Sequence, residues 1–291
     1  MEKEINMKGN VLSMSAVIKD DDRIYSCKSD SMFKSVVACE KGKSILKAVI
    51  EDALKIDVGD IILLNSEFEK EHISEKGRVV DCLVISGDDL INIEINRNAT
   101  QAIRDRNFRY ITSMHNRQYK IGDSYYTSKR SIQINLDWNV NYKKIKKVYK
   151  MLEVDDSSDI FTDKTEIYSF DMEKLSKMCY SEGKKEDYKY LKMLTIESKE
   201  ELLKYCLGDE IMEKYKEEVI KLNKDNAFID DLTKEEDDEL VIQSEILYAR
   251  DEGIEKGIIQ TAKKMLEKNY EVNAISEVTG LSIEEIEKLL G

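Results

Sequence analysis

Proline is missing from all 291 residues, and the two histidines, His72 and His115, each stand alone. The lack of proline goes with an abundance of Lys, Ile, Asn and Glu and is compositional. Five cysteines, Cys27, Cys39, Cys82, Cys179 and Cys206, are scattered with no C-x-x-C pair and no histidine beside them. That excludes a zinc site and a disulfide frame and fits a reducing cytoplasm. The apolar run from Val11 to Ile18 has no basic leader before it and two serines within it, so neither a signal peptide nor a membrane span is expected.

What is present is ample core material: 41% of the chain is hydrophobic, enough for one large or two modest globular domains. The net charge of -13 argues against nucleic acid as a partner, but it is unevenly spread. Between Arg97 and Lys150 thirteen Lys or Arg residues face three acids, Asp105, Asp123 and Asp137, a local balance of +10 that leaves -23 for the remainder. A basic middle is flanked by acidic arms.

The stretch from Lys76 to Arg97 reads as a β-hairpin. Val79 to Ile85 alternates, Gly87-Asp88-Asp89 supplies the turn, and Leu90 to Asn96 alternates again. Ile91, Ile93 and Ile95 share one face, and Asn92, Glu94 and Asn96 the other. Close pairing of the strands brings Asp81 towards Glu94 and Asn96. Two carboxylates on a pleat otherwise rich in Ile and Val need a partner, because unpaired polar burial costs several kcal/mol. A divalent cation is one such partner. The other reading is a pair of exposed hairpin acids, one of them paired with Arg78 or Arg97.

Before the hairpin, Asp30 to Glu40 reads as a short helix capped by Asp30 or Ser31, and Lys43 to Leu54 as a second with one apolar stripe. Ile61 to Leu64 is an apolar run of strand length, and Ser66 to Glu75 a polar excursion. After it, Asn98 to Lys120 is a helix opened by Thr100 or Asn98, with Ala102, Ile103, Phe108, Ile111 and Met114 towards a sheet. Ser131 to Trp138 alternates cleanly. Lys143 to Leu152 is basic and helical in tendency, Thr165 to Phe170 a further strand, and Asp171 to Lys224 mostly helical. Asp230 to Glu239 is acidic and reads as an exposed joint. Beyond it come a long amphipathic helix and two short ones around Gly280, the last opened by the capping box Ser282-x-x-Glu285. The expected divisions are a core over 1–150, a mostly helical extension over 151–230, and the acidic joint with C-terminal helices over 231–291.

The order helix, three strands, helix, strand, with an acid on the second strand and an acid two residues before a polar group on the third, resembles the PD-(D/E)XK nucleases. More narrowly the chain resembles their recombination-promoting nuclease and transposase branch. The residues that carry this are Asp30-Ser31-Met32-Phe33-Lys34, Val80-Asp81, Ile93-Glu94-Ile95-Asn96, Arg104-Asp105-Arg106, Asp251-Glu252-Gly253 to Gly257, and Thr279-Gly280-Leu281-Ser282. The resemblance implies an α/β, restriction-endonuclease-like αβββαβ core with a mixed central sheet, followed by a mostly helical C-terminal region. It also implies Mg²⁺, with Mn²⁺ as a substitute, held by Asp81, Glu94 and the backbone carbonyl of Ile95, and an additional acid from the first long helix, for which Glu51 is the candidate. The metal activates a water for phosphodiester hydrolysis. Asn96 stands where the family carries Lys or Gln, as the residue that orients that water.

DNA is the implied partner, with Arg97, Arg104, Arg106, Arg109 and Arg117 against its backbone. The alternative is a catalytically lapsed member that binds DNA or a protein through the same surface. The bland readings are a cap for Asp30 and packing for Tyr119, Tyr125 and Tyr126. The final helix, Ser282 to Leu290, is too acidic for a phosphate backbone and suits packing or homo-oligomer formation.

Overall fold

The structure is a computed structural model that describes residues 22–65, 67–68, 78–178 and 187–289. The apolar run from Val11 to Ile18, most of the polar excursion after Asn65, the first two residues of the hairpin, His72 and Cys179 lie outside the described residues. Two compact units divide the chain, one up to Asn226 and one from Ala227.

In the first unit, α1 (Asp30–Val36) is opened by Ser29, whose hydroxyl accepts from the Met32 amide at 3.3 Å. The cap is thus one residue earlier than the sequence suggests. That leaves Asp30 inside the first turn, where its carboxylate reaches Lys34 Nζ at 2.7 Å. The next helix, α2 (Lys43–Leu54), buries Ile45, Leu46, Val49, Ile50 and Ala53 on one stripe and ends at Lys55 in the left-handed conformation.

Strand β1 (Ile62–Leu63) pairs with β4 (Cys82–Ser86), while β2 (Glu67–Phe68) and β3 (Arg78–Val79) form a separate two-stranded sheet. A two-residue turn led by Gly87 closes the hairpin from β4 to β5 (Asp89–Asn96), with Ser86 opposite Asp89. Gly87 has φ +53, which a side chain would strain.

A parallel neighbour needs a crossover. Helix α3 (Gln101–Asn116), capped by Thr100, provides it and leads to β6 (Arg130–Asp137). Strand β7 (Lys146–Leu152) and β8 (Ile160–Asp171) complete a mixed six-stranded sheet in the order β1-β4-β5-β6-β8-β7. The order helix, three strands, helix, strand is therefore present as α2, β1, β4, β5, α3 and β6, and the core is restriction-endonuclease-like.

Three local expectations are corrected. The basic segment Lys143 to Leu152 is not helical: from Lys146 it is an edge strand paired with β8, where lysines on the open edge discourage further pairing. Asp230 to Glu239 is not a joint between helices, for it lies within a single 42-residue helix, Asn226–Glu267. Finally, α3 turns a different stripe inward. Phe108 is 61% exposed and Ala102 is also exposed, whereas Asn107, Tyr110, Ile111 and Met114 are buried. The sheet beneath α3 explains this. Val80, Leu83 and Leu90 receive Tyr110, Ile111 and Met114, but the rest of that face is polar and receives Asn107.

Four helices follow in the first unit: α4 (Met172–Ser176), α5 (Lys189–Met193), α6 (Lys199–Tyr205) and α7 (Glu210–Leu222). Of these, α5 and α7 pack on α2. From the boundary onward come α8 (Asn226–Glu267), α9 (Val272–Thr279) and α10 (Ile283–Lys288). Ala262, Ile275 and Ile286 form a small buried cluster, and the Ser282/Glu285 capping box is present. Among the described residues no helix is long and apolar enough to cross a membrane.

Candidate active site

The register of the hairpin places the acids. Cys82 lies opposite Ile93, so the next step outward sets Asp81 opposite Glu94. There a side-chain bond replaces the ladder. Asp81 Oδ2 accepts from the Ile95 amide at 2.7 Å, which ties the Asp81 side chain to the neighbouring strand. On a strand a residue's N–H and C=O leave on the same side. The Ile95 carbonyl therefore also leaves on the Asp81 side, beyond the last paired residues of β4.

Both carboxyls are costly to ionise where they stand. Glu94 is 2% exposed, and burial followed by the nearby Asp81 charge pushes its pKa upward, although Arg106 Nη2 at 3.2 Å and Asn92 Nδ2 at 3.1 Å oppose this. Asp81 is raised as well, first by burial and then by Asp30, while Lys34 Nζ at 3.7 Å offsets part of it. Two buried acids, each raised by burial and by a neighbouring carboxylate, Glu94 by Asp81 and Asp81 by Asp30, make a place where a cation is wanted. Among the described residues no group of three or more His, Cys, Asp or Glu side chains is set to hold a metal. Two carboxylates and a carbonyl still suit Mg²⁺ or Mn²⁺, hard ions that accept one or two carboxylates and fill the remaining positions with water and substrate oxygens.

Asn96 is 3% exposed and engaged at both ends. Its Oδ1 accepts from Arg106 Nη2 at 3.0 Å, and its Nδ2 donates to Asp137 Oδ1 at 2.8 Å. Asp137 also accepts from Tyr142 Oη at 2.7 Å, yet burial holds its pKa above the ordinary range. One amide proton of Asn96 is left over. Beneath it the polar face continues: Asn92 Nδ2 donates to Gln133, Gln133 Nε2 and Asn107 Nδ2 both donate to Asn135 Oδ1, and Asn135 Nδ2 donates to Ser169.

The structure thus brings Asp81, Glu94, Ile95 and Asn96 together, and does not bring Glu51 to them. Glu51 sits near the end of α2, paired with Lys47 at 3.2 Å and accepting from the Val58 amide at 3.3 Å. The arginines divide. Arg106 belongs to the site, held by Glu94, Asn96 and Asn107. Arg104 and Arg109 are exposed on α3, and Arg104 lies over the Tyr142 ring at 5.7 Å. Arg97 and Arg117 flank the two ends of that helix, about 24 Å long at 1.5 Å per residue. Arg97 Nε donates to the Lys28 carbonyl at 3.2 Å. Tyr119 packs edge-on against His115 and Tyr125, but the Tyr125 and Tyr126 rings are about four-fifths exposed.

Sequence reasoning missed Lys34, Asp137 and Asn107 as members of this constellation. Two of the three carried a signal. Asp30 and Lys34 have the i, i+4 spacing of a helical ion pair, and Asp137 continues the row of Gln133 and Asn135 that alternates with Ile132, Ile134 and Leu136.

The family model for the PD-(D/E)XK nuclease family transposase matches residues 27–251, more than three-quarters of the chain. No curated protein and no solved structure gave a match. The matched segment spans α1, the hairpin with both acids, α3 and the whole sheet, and the chain belongs to the PD-(D/E)XK nuclease family transposases.

Proposed function

We propose that the chain is a Mg²⁺-dependent DNA endonuclease that hydrolyses phosphodiester bonds at the open end of the hairpin. The observation that carries this reading is the placement of Asp81 beside buried Glu94 at the end of the hairpin, with the Asp81 carboxylate held by the Ile95 amide. Asp81, Glu94 and the Ile95 carbonyl are the groups that would hold the cation. A bound divalent ion lowers the pKa of a water and shields the charge that builds on the scissile phosphate.

The chain's own residues do the rest. Arg106 fixes the Glu94 carboxylate and the Asn96 carbonyl oxygen with one nitrogen, so that the remaining Asn96 amide proton points in a set direction for a water. Water oxygen bonds to phosphorus as the phosphorus–oxygen ester bond breaks, and the departing oxygen gains a proton. Arg97, Arg104, Arg109 and Arg117 track the backbone along the basic segment, where phosphate neutralisation supplies affinity.

A plasmid-nicking assay tests the reading. Nicking in Mg²⁺ or Mn²⁺ should stop with EDTA and fall about 100-fold or more in Asp81→Asn and in Glu94→Gln. Equal nicking by wild type and both variants, or none by any, removes the endonuclease reading. One observation favours a second reading, a DNA-binding module without catalysis: position 96 is neutral and its side chain is already engaged at both ends. That module would shift duplex DNA in a gel with no cleavage under any divalent ion.

A further inference from the structure

Building on the nuclease reading, we infer that Lys34 of α1 supplies the cation that position 96 lacks and contacts the scissile phosphate on the Asp81 side of the carboxylate pair. Among the described residues two side-chain cations border that pair, Lys34 and Arg106. Arg106 stands on the Glu94 side, but its Nη2 is already shared among Glu94, Asn96 and Asn107, and moving it would open the buried network under α3. Lys34 stands on the Asp81 side under no such constraint. Its Nζ is 2.7 Å from Asp30 Oδ2 and 3.7 Å from Asp81 Oδ1, so it is bonded to the first acid and only near the second.

Exposure orders the groups. The Lys34 side chain is 39% exposed, that of Asp81 16% and that of Glu94 2%. Of these three, Lys34 is the side chain most open to solvent, from which a substrate arrives. Asp30, one helical turn before it, tethers the amine without burying it. A lysine has three donors on a flexible stem. One donor holds Asp30, and the others can meet a phosphate oxygen brought beside Asp81. The Asp30 and Lys34 pair of the N-terminal motif thereby acquires a role that helix capping, performed by Ser29, does not explain.

Lys34→Met and Lys34→Arg test this beside wild type and Asp81→Ala, with three readouts: Mg²⁺ binding by calorimetry, duplex DNA binding in Ca²⁺, and Mg²⁺-dependent nicking. Lys34→Met should lose about 100-fold in turnover and about tenfold in Ca²⁺-dependent DNA affinity. Its Mg²⁺ affinity should hold or rise, since a positive charge beside Asp81 is gone, whereas Asp81→Ala should lose Mg²⁺ binding. Lys34→Arg should recover most of the DNA affinity. A Lys34→Met protein that cuts and binds DNA like wild type overturns the inference. So does one that loses Mg²⁺ binding together with cleavage, the mark of a structural prop. If wild type binds Mg²⁺ and DNA but never cuts, while Lys34→Met still weakens DNA binding, the endonuclease reading fails and the phosphate contact stands.

Discussion

On one face of the central sheet Ile91, Ile93, Ile132, Ile134 and Leu136 are fully buried; on the other Asn92, Glu94, Asn96, Gln133, Asn135 and Asp137 are at most 5% exposed, and all six are polar. The strands are the same, and alternation alone separates the two sets. The apolar face stabilises by removing area from water, at about 25 cal/mol per Å². The polar face gains nothing that way and costs several kcal/mol wherever a group lacks a partner. It is tolerated because nearly every group on it is bonded, with Asn92 Oδ1 the buried exception. The difference shows which half of the sheet holds the fold and which half holds charge in readiness.

The largest expected effect is on the apolar face. Ile93→Ala, at a position with no exposure, should lower the unfolding free energy by about 2–5 kcal/mol in urea titrations. A loss well under that range would mean the polar network carries more of the fold than area suggests. Next comes Asn135→Ala, which strands Asn107, Gln133 and Ser169 at once. It should cost about 1–3 kcal/mol, the range for leaving buried partners unsatisfied. A neutral result would show that the network rearranges freely.

Glu94→Gln should go the other way. In the metal-free protein the Glu94 pKa is raised above its ordinary value of 4.5, to about 8, by burial and by Asp81. The folded state then binds the proton more tightly than the unfolded chain does, so this group favours folding at low pH. That contribution fades as pH rises from the ordinary glutamate range through the folded value. Glutamine removes the dependence and, near pH 8, should stabilise the metal-free fold by about 1 kcal/mol while abolishing nicking. Thermal melts in EDTA across pH check it; a variant less stable than wild type at every pH would show that Arg106 depends on the charge more than Glu94 suffers from its burial.

Much of this was legible in the sequence because it depends on counting. Alternation from Leu90 to Asn96 and the turn at Gly87 place Asp81 opposite Glu94 by register, with no tertiary information needed. The strand after α3 was equally plain. What escaped depends on neighbours distant in sequence. Lys146 to Leu152 became a strand because β8 offered an edge, and the acidic run Asp230 to Glu239 remained helical within α8. Lys34 is 47 positions before Asp81, and only the packing of α1 against the hairpin end makes them neighbours.

The smallest effect is the one that isolates this point. Helical periodicity chooses Phe108 as a core residue of α3, and a buried Phe→Ala change costs about 3–5 kcal/mol. The structure leaves Phe108 61% exposed and buries Asn107 in its stead, bonded to Asn135 at 3.0 Å. Phe108→Ala should therefore change stability by no more than about 0.5 kcal/mol, as surface substitutions do. Asn107→Ala, which removes only a carboxamide, should cost more than Phe108→Ala, because Arg106 and Asn135 both lose a partner. If the order of the two reversed, α3 would have to be turned so that its apolar stripe met the sheet, Arg106 would swing away from Glu94 and Asn96, and the polar face would no longer be closed over the carboxylate pair.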